Sequence, residues 1–290
     1  MKYVPQSFEE IKIEDPYDKI ALVAHNCYQV NKDKDQKKFV LTLLGYKHYA
    51  MVEHKVFVAK ISDTIFDKLV ELDNKFIVLA RDETGNYCSF TLRVLLEAYE
   101  ANKLGVLSSL ISALAKDVRD LFEGFEEKSE GVEILSEKQI DKLTGDVYDK
   151  MKTVTLKIVT DRGVTHELVR HRICSFAQES TRYCNYGKNK FGSELTFILP
   201  LDYDENKDVY DRTFSMIEKE YMGLIEKKVT PEMARAILPN KLKTSIIITT
   251  NVKEYKVIFD LRCDQRAHPD IRNIMIPIQA YFVERGYIKE

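Results

Sequence analysis

Apolar and polar positions along this chain alternate between two periods. After Asp15-Pro16, the run YDKIALVAHNCYQV places Ile20, Val23 and Cys27 on one stripe, which predicts an amphipathic helix. Helical patterning returns from Lys38 to Leu44, where Gly45 stops it, and again over 64–72, Leu92–Asn102 and Val106–Phe122. Residues 206–227 carry Phe214, Ile217, Tyr221 and Ile225 on one face. Three further helices have sequence-level starts. Asp161 can cap a helix running to about Arg172, Thr230-Pro231 opens PEMARAIL, and Asn251 starts a helix toward Arg262. Pro269 begins the last one. Period-two alternation or buried-looking apolar runs predict strands over Lys55–Ser62, 75–80, 153–160, 194–200 and 245–250. Strands and helices interleave, so the class is α/β or α+β. The acidic, glycine-punctuated stretch 122–139 reads as an exposed connection, and NKDKDQKK (31–38) as a solvated turn.

Two hundred and ninety residues allow one or two domains and a sizeable core. Composition narrows the function classes. With 44 basic and 46 acidic side chains the chain is close to neutral, which disfavours nucleic-acid binding through an overall field. A hydrophobic fraction of 44% beside 31% charged residues is that of a globular chain. No apolar run reaches the ~18 residues needed to span a bilayer. The start is broken by Pro5 and by acids, unlike a secretory signal. Five scattered cysteines without a CxxC read as reduced thiols of a cytoplasmic protein. No set of histidines, cysteines and acids has zinc spacing, so no metal is expected.

Chemistry concentrates in DRGVTHELVRHRICSFAQESTRYCNY (161–186). Extended to Lys190, it holds six basic side chains against three acidic ones. Arginine suits bidentate capture of phosphate oxygens, although cations at a helix C-terminus also serve its dipole. The hydroxyls and amides that follow, ended by Arg182, favour a site for a phosphorylated small ligand. Cys174 reads as a packing residue and Ser180 as a binding hydroxyl, because no His/Asp pair is visibly arranged to activate it. His268 reads as structural.

These residues match a known signature. Arg170-His171-Arg172, Ser175, Ser180 and Arg182-Tyr183 follow the RHRxxSxxxxSxRY pattern of the flavin-dependent thymidylate synthases, the ThyX family. GVTHELV resembles the helix that leads into it. ARAILPNKLKT (234–244) and TTNVKEYKVIFDLRCDQRAHPDIR (249–272) resemble two later blocks, and His48…Glu53-His54 an early flavin-site stretch. The four blocks occur in the family's order, over roughly 16–60 and 150–285. The resemblance implies a single ThyX-type catalytic domain over 1–290, with a sheet carrying packed helices. It also implies that residues about 75–150 are an inserted subregion, because His54 and Arg170 are 116 positions apart.

The resemblance further implies an enzyme that methylates dUMP to dTMP, a homotetramer whose sites draw on several subunits. FAD is the cofactor, with methylenetetrahydrofolate and NADPH as co-substrates. Flavin contacts fall on His48, Ala50, Arg170, His171, Arg172, Gln178, Asn251, Lys253 and Val257. Contacts to dUMP fall on Glu167, Arg170, Gln178, Glu179, Ser180, Thr181, Arg182, Arg235 and Arg262. Arg262 matches the arginine that favours ionisation at uracil N3, the one catalytic role assigned. No nucleic-acid or membrane partner is implied. Several positions depart from the pattern. Ala50 replaces a threonine, Lys253 an arginine, Val257 a polar residue, Glu167 a glutamine and Ala177 an asparagine. The substitutions at Ala50, Lys253 and Val257 motivate the alternative of a catalytically impaired flavin- or nucleotide-binding homologue.

Overall fold

The computed structural model describes residues 1–28, 35–126, 130–188 and 192–288. Lys190, residues 31–34 of the lysine-rich tract and the last two residues of the first predicted helix lie outside them. The chain is a mixed α/β protein with ten strands in three sheets among the described residues.

The strands are β1 (Lys2–Val4), β2 (Ser7–Glu10), β3 (Val56–Ile61), β4 (Ile77–Asp82), β5 (Gly85–Thr91), β6 (Val132–Ile134), β7 (Thr153–Asp161), β8 (Ser175–Gln178), β9 (Thr196–Ile198) and β10 (Lys243–Asn251). One sheet has the order β2-β7-β10-β8 and is antiparallel throughout. The second, also antiparallel, has the order β4-β5-β3-β6. A short parallel pair joins β1 to β9.

The central strands β7 and β10 are nearly all buried, which is why they read as apolar runs. Helices Arg162–Leu168, Val252–Arg262 and Pro269–Glu284 cover one face of their sheet, and Ile246, Ile248, Tyr255, Phe259 and Phe282 meet there. Helix Pro16–Tyr28 packs on the opposite face through Val23 and Cys27, against Ala177 and Ile247. Asn26 fixes its position: its amide donates to Ala177 O (3.1 Å) and Ser245 O (3.2 Å), and Ser245 Oγ returns a 2.7 Å bond. The N-terminal part of that helix, with Tyr17, Ile20 and Ala21, enters the core of the second sheet. One helix therefore ties both sheets together beside the signature segment.

Residues 75–150 do not stand apart. Strands β5 and β6 pair with β3 and β4 with β5, and the buried Phe90, Leu92, Leu95 and Leu110 share one core with Tyr17, Val40 and Val52. The stretch 122–139 departs from the expected exposed connection. Phe122 is buried, and Val132 enters the sheet on strand β6. Gly131, at φ 73°, makes the entry, and its carbonyl accepts from Ser62 N at 2.9 Å.

Two predicted helices are shorter than expected. Val106–Phe122 divides into Leu107–Ser112 and Lys116–Arg119, because Ala115 is extended (ψ 148°) and Arg119 Nη1 takes the freed Leu114 carbonyl at 2.8 Å. The helix from Asp161 ends at Leu168 rather than near Arg172. Beyond it the chain tightens into turns, with His171 N bonded to Leu168 O and Cys174 N to His171 O, and so delivers Ser175 to β8. At the other end of 31–38, Asp35 caps a helix over Gln36–Gly45. The five cysteines are thiols. No helix among the described residues is long and apolar enough to cross a membrane.

Candidate functional site

The signature occupies the end of a helix, a tight loop, the edge strand β8 and the loop after it. Asp161 caps the helix through Val164 N at 2.8 Å, as the sequence suggested. The antiparallel register of β8 on β10, from Ser175↔Thr249 to Gln178↔Ile246, decides what meets what. Arg172 and Cys174 share an end with Thr250 and Asn251, while Glu179 and Ser180 lie at the Lys243 end.

At the first end the signature, the helix that leads into it and the last family block converge. Arg262 Nη1 donates to Glu167 Oε2 at 2.8 Å, Nη2 to the Glu167 carbonyl at 3.0 Å and Nε to His171 Nε2 at 3.2 Å. An arginine Nε–H only donates, so His171 Nε2 accepts and the ring proton sits on Nδ1. That nitrogen faces Glu254 Oε1 at 3.4 Å. The result is a continuous Glu254–His171–Arg262–Glu167 line, with His171 buried and Arg262 16% exposed. Three of the five guanidinium N–H groups are committed, which leaves two for a ligand. A carboxylate at position 167 is a poor neighbour for a phosphate unless an arginine pairs with it, and Arg262 does so.

Arg170 and Arg172 are exposed, without an ion pair among the described residues. Arg170 and Glu167 line a cleft of about 420 Å³ with His166, Lys241 and Asp270. Arg172 and Asn251 line another, of about 210 Å³, between the two sheets. Asn251 Oδ1 caps its helix through Glu254 N at 2.9 Å. Lys253 and Val257 lie on the exposed side of that helix, where Lys253 Nζ reaches Asp146 at 2.6 Å. Cys174 sits between these groups, but burial pushes its thiol up to about 12, so the thiolate a nucleophile needs is suppressed.

The second end holds the hydroxyl loop. Ser180 N donates to Cys27 O at 3.1 Å, which seats the loop on helix Pro16–Tyr28. Arg182 Nε pairs with Glu232 at 2.9 Å, and its guanidinium lies over the Tyr183 ring, 5.7 Å from the centroid. Glu232 precedes the exposed Arg235, so that block meets the loop here. Tyr28 stands edge-on to Tyr183 with centroids 5.5 Å apart, and its hydroxyl is 3.1 Å from His48 Nδ1. His48 and Ala50 are exposed in this neighbourhood.

Two loop side chains are already engaged within the chain. Gln178 Nε2 donates to Thr165 Oγ1 (2.9 Å) and Thr244 Oγ1 (3.2 Å). Glu179 is buried, accepting from Tyr186 at 2.9 Å and Lys243 at 2.8 Å. Thr181 is buried and Ser180 half-buried. His54 is fully buried, its Nδ1 2.8 Å from Thr249 Oγ1, and burial followed by the nearby Lys19 charge lowers it to about 3. Glu254 was not anticipated. Its sequence signal was weak: an acid in the first turn of a capped helix is ordinary dipole complementarity.

Residues 146–284 match the family model described as thymidylate synthase complementing protein. Among curated proteins, the chain is 37% identical over 116 residues to a flavin-dependent thymidylate synthase of Pyrococcus furiosus, covering 39% of this chain and 47% of that protein. The protein of the same name from Geobacter sulfurreducens is 33% identical over 115 residues, covering 40% and 49%. That from Pyrococcus horikoshii is 38% identical over 131 residues, covering 44% and 53%. The chain thus spans about half the length of the curated relatives it matches. The resemblance read from the signature is borne out over this C-terminal half. The His48–His54 block and the second sheet precede the matched residues.

Proposed function

We propose that this chain is a flavin-dependent thymidylate synthase, converting dUMP to dTMP with methylenetetrahydrofolate as carbon donor and NADPH as the source of reducing equivalents. The observation that carries the reading is the Arg262 network. It joins the helix before the signature, the signature histidine and the last family block around one guanidinium with N–H groups to spare. A guanidinium fixed on three sides is preorganised to stabilise anionic charge developing on a uracil ring, at no reorganisation cost.

The remaining donors fit the ligands. Arg170 and Arg172, whose side chains have no partner among the described residues, suit the diphosphate of FAD, and Asn251 keeps its amide N–H₂ after capping the helix with its oxygen. Bound flavin would supply hydride to the transferred one-carbon unit. Arg182, Arg235 and the Ser180 hydroxyl suit the dUMP phosphate. Gln178 and Glu179 would act by shaping the loop, since their side chains are bonded internally. Lys253 and Val257, on an open face, would contact flavin at the periphery, as would His48 and Ala50.

The two groups of residues stand at opposite ends of β8, roughly 13 Å apart at ~3.3 Å per residue. A homotetramer in which neighbours complete each site accounts for that spread. Exposed Val169, Ile173, Val257 and Leu261 around the arginines suit such an interface. The cytoplasm, with reduced thiols, is the implied setting, and residues about 75–150 are read as an insertion in a single domain. The impaired homologue is the less favoured reading, because every phosphate-directed arginine is present. Tritium release from [5-³H]dUMP with folate and NADPH tests the choice. Release that requires FAD supports the synthase. Flavin and dUMP binding without release would favour the impaired homologue.

A further inference from the structure

The cleft between the sheets has one wall from the signature region and one from residues that precede the family match. Arg172, Thr250 and Asn251 form the first, and Lys75, Phe76 and Thr91 belong to the second. The second wall carries both signs, for Glu53 also lines the cleft, where it is paired with Arg93. Two cations lie against the Phe76 ring, Lys75 Nζ at 4.7 Å and Arg93 Cζ at 5.0 Å from its centroid. Arg93 is neutralised by Glu53 and Glu97. Lys75 has no ion pair among the described residues, and neither has Arg172. Two uncompensated cations on facing walls call for an anion. Thr91, which also lines the cleft, adds a second sign: it is 8% exposed, and its enclosed hydroxyl has no hydrogen-bond partner among the described residues. A buried hydroxyl is rarely left so without a ligand or water to meet it.

Volume limits what fits. About 210 Å³ is below the ~300 Å³ at which pockets begin to enclose whole drug-sized ligands. The cleft therefore suits a phosphate-bearing portion of a larger molecule. We propose that it is a nucleotide-phosphate subsite in which Lys75 and Thr91 of the second sheet act with Arg172 and Asn251. The inference rests on the flavin-dependent reading and extends it, giving the region about 75–150 a part in cofactor binding. The phosphate belongs to FAD or to NADPH, and the two are separable.

The test compares wild type with Arg172→Ala, Lys75→Glu and Thr91→Val. It measures FAD affinity by absorbance titration, KM for NADPH, and melting of the flavin-free protein. Lys75 is exposed and valine is isosteric with threonine, so Lys75→Glu should cost no more than its contact with Phe76, and Thr91→Val should melt no lower than wild type. A roughly tenfold weakening of FAD binding in Lys75→Glu, with a smaller one in Thr91→Val, supports the proposal and assigns the phosphate to FAD. A raised NADPH KM with unchanged FAD affinity supports it and assigns the phosphate to NADPH. If both wall variants match wild type for both nucleotides while Arg172→Ala loses FAD, the subsite is overturned and the flavin reading survives. If wild type itself takes up no FAD, both fall together.

Discussion

Replacing Arg262 by alanine removes three hydrogen bonds at once, and the structure apportions the damage. Glu167 is 24% exposed on its side chain, so its carboxylate rehydrates once the guanidinium is gone. His171 is 5% exposed on its side chain, and its Nε2 loses its donor in a nearly closed setting. Hydrogen bonds to charged groups contribute about 1.5–3 kcal/mol each, but only the buried part of this network should count in full. A net destabilisation of about 2 kcal/mol follows, a melting shift of several degrees for a chain of this size. The catalytic effect should be separate and larger. Loss of a preorganised donor costs about 100-fold in turnover, or about 2.7 kcal/mol of barrier.

Arg262→Lys sharpens the comparison, because one ammonium cannot serve the Glu167 carboxylate, its carbonyl and His171 together. It should recover most of the stability and little of the rate. The assays are thermal melting, flavin titration and [5-³H]dUMP tritium release on the same preparations. Flavin affinity within about threefold of wild type, with turnover down at least ~100-fold in Arg262→Ala, is the expected pattern. Near-wild-type turnover would refute the role, and so would a collapse of flavin affinity that fully explains the lost rate.

Three further outcomes are expected. Cys174→Ala should keep most turnover, since burial holds the thiol protonated; complete loss of tritium release would restore a nucleophilic role. Arg170→Ala should weaken both FAD and dUMP, and unchanged titrations for both would contradict its placement between them. His54 is held neutral in the folded state, lowered from 6.5 to about 3, so the unfolded chain binds the extra proton on acidification. That stability is present above pH 6.5 and is lost as the pH falls, by about 2 kcal/mol between pH 7 and 5. His54→Gln should be less stable at pH 7 yet flatter across this interval in urea melts; an identical slope would show that His54 is not the titrating group.

Much of the fold was legible because its longest elements have one-sided patterns. Strands β7 and β10 and the helices after Asp161, Asn251 and Pro269 carry apolar runs or periods together with a cap or proline at the start. Strands β1, β2, β5, β6 and β8 escaped for different reasons. Ser175–Gln178 and Val132–Ile134 are edge strands of three or four residues, too short for a period to emerge. Gly85–Thr91 had a readable turn before it, Asp82 to Gly85, in which Thr84 N bonds Asp82 Oδ1 at 2.8 Å. Its mixed Asn-Tyr-Cys-Ser residues hid a strand buried along nearly its whole length. At the site, arginine positions could be read from motif spacing, but their partners could not. Glu179 pairs with a lysine 64 positions away, and Arg262 with a glutamate 95 positions away. Such pairings depend on strand register, which a single sequence does not encode locally.

That register also explains why a short edge strand can organise so large a site. Among the described residues strand β8 pairs on one side only, with β10, and its four residues separate two loops with opposite needs. The loop before it is held by Arg262 and Glu254 and presents arginines. The loop after it is held by Cys27 O and Glu232 and presents hydroxyls. Each loop makes local turns of its own, and each is also tied to an element distant in sequence, the first to Arg262 and Glu254, the second to Cys27 and Glu232. Each end also leaves apolar side chains in solvent beside its cations, Val169 and Ile173 at one and Tyr183 at the other. A lone protomer gains nothing from that exposure. Under the proposed assembly, a neighbouring copy covers those side chains and excludes water from the arginines, where lower local dielectric strengthens their hold on phosphate. Ligand binding and subunit association are then coupled, and dilution that dissociates the assembly should release flavin as well.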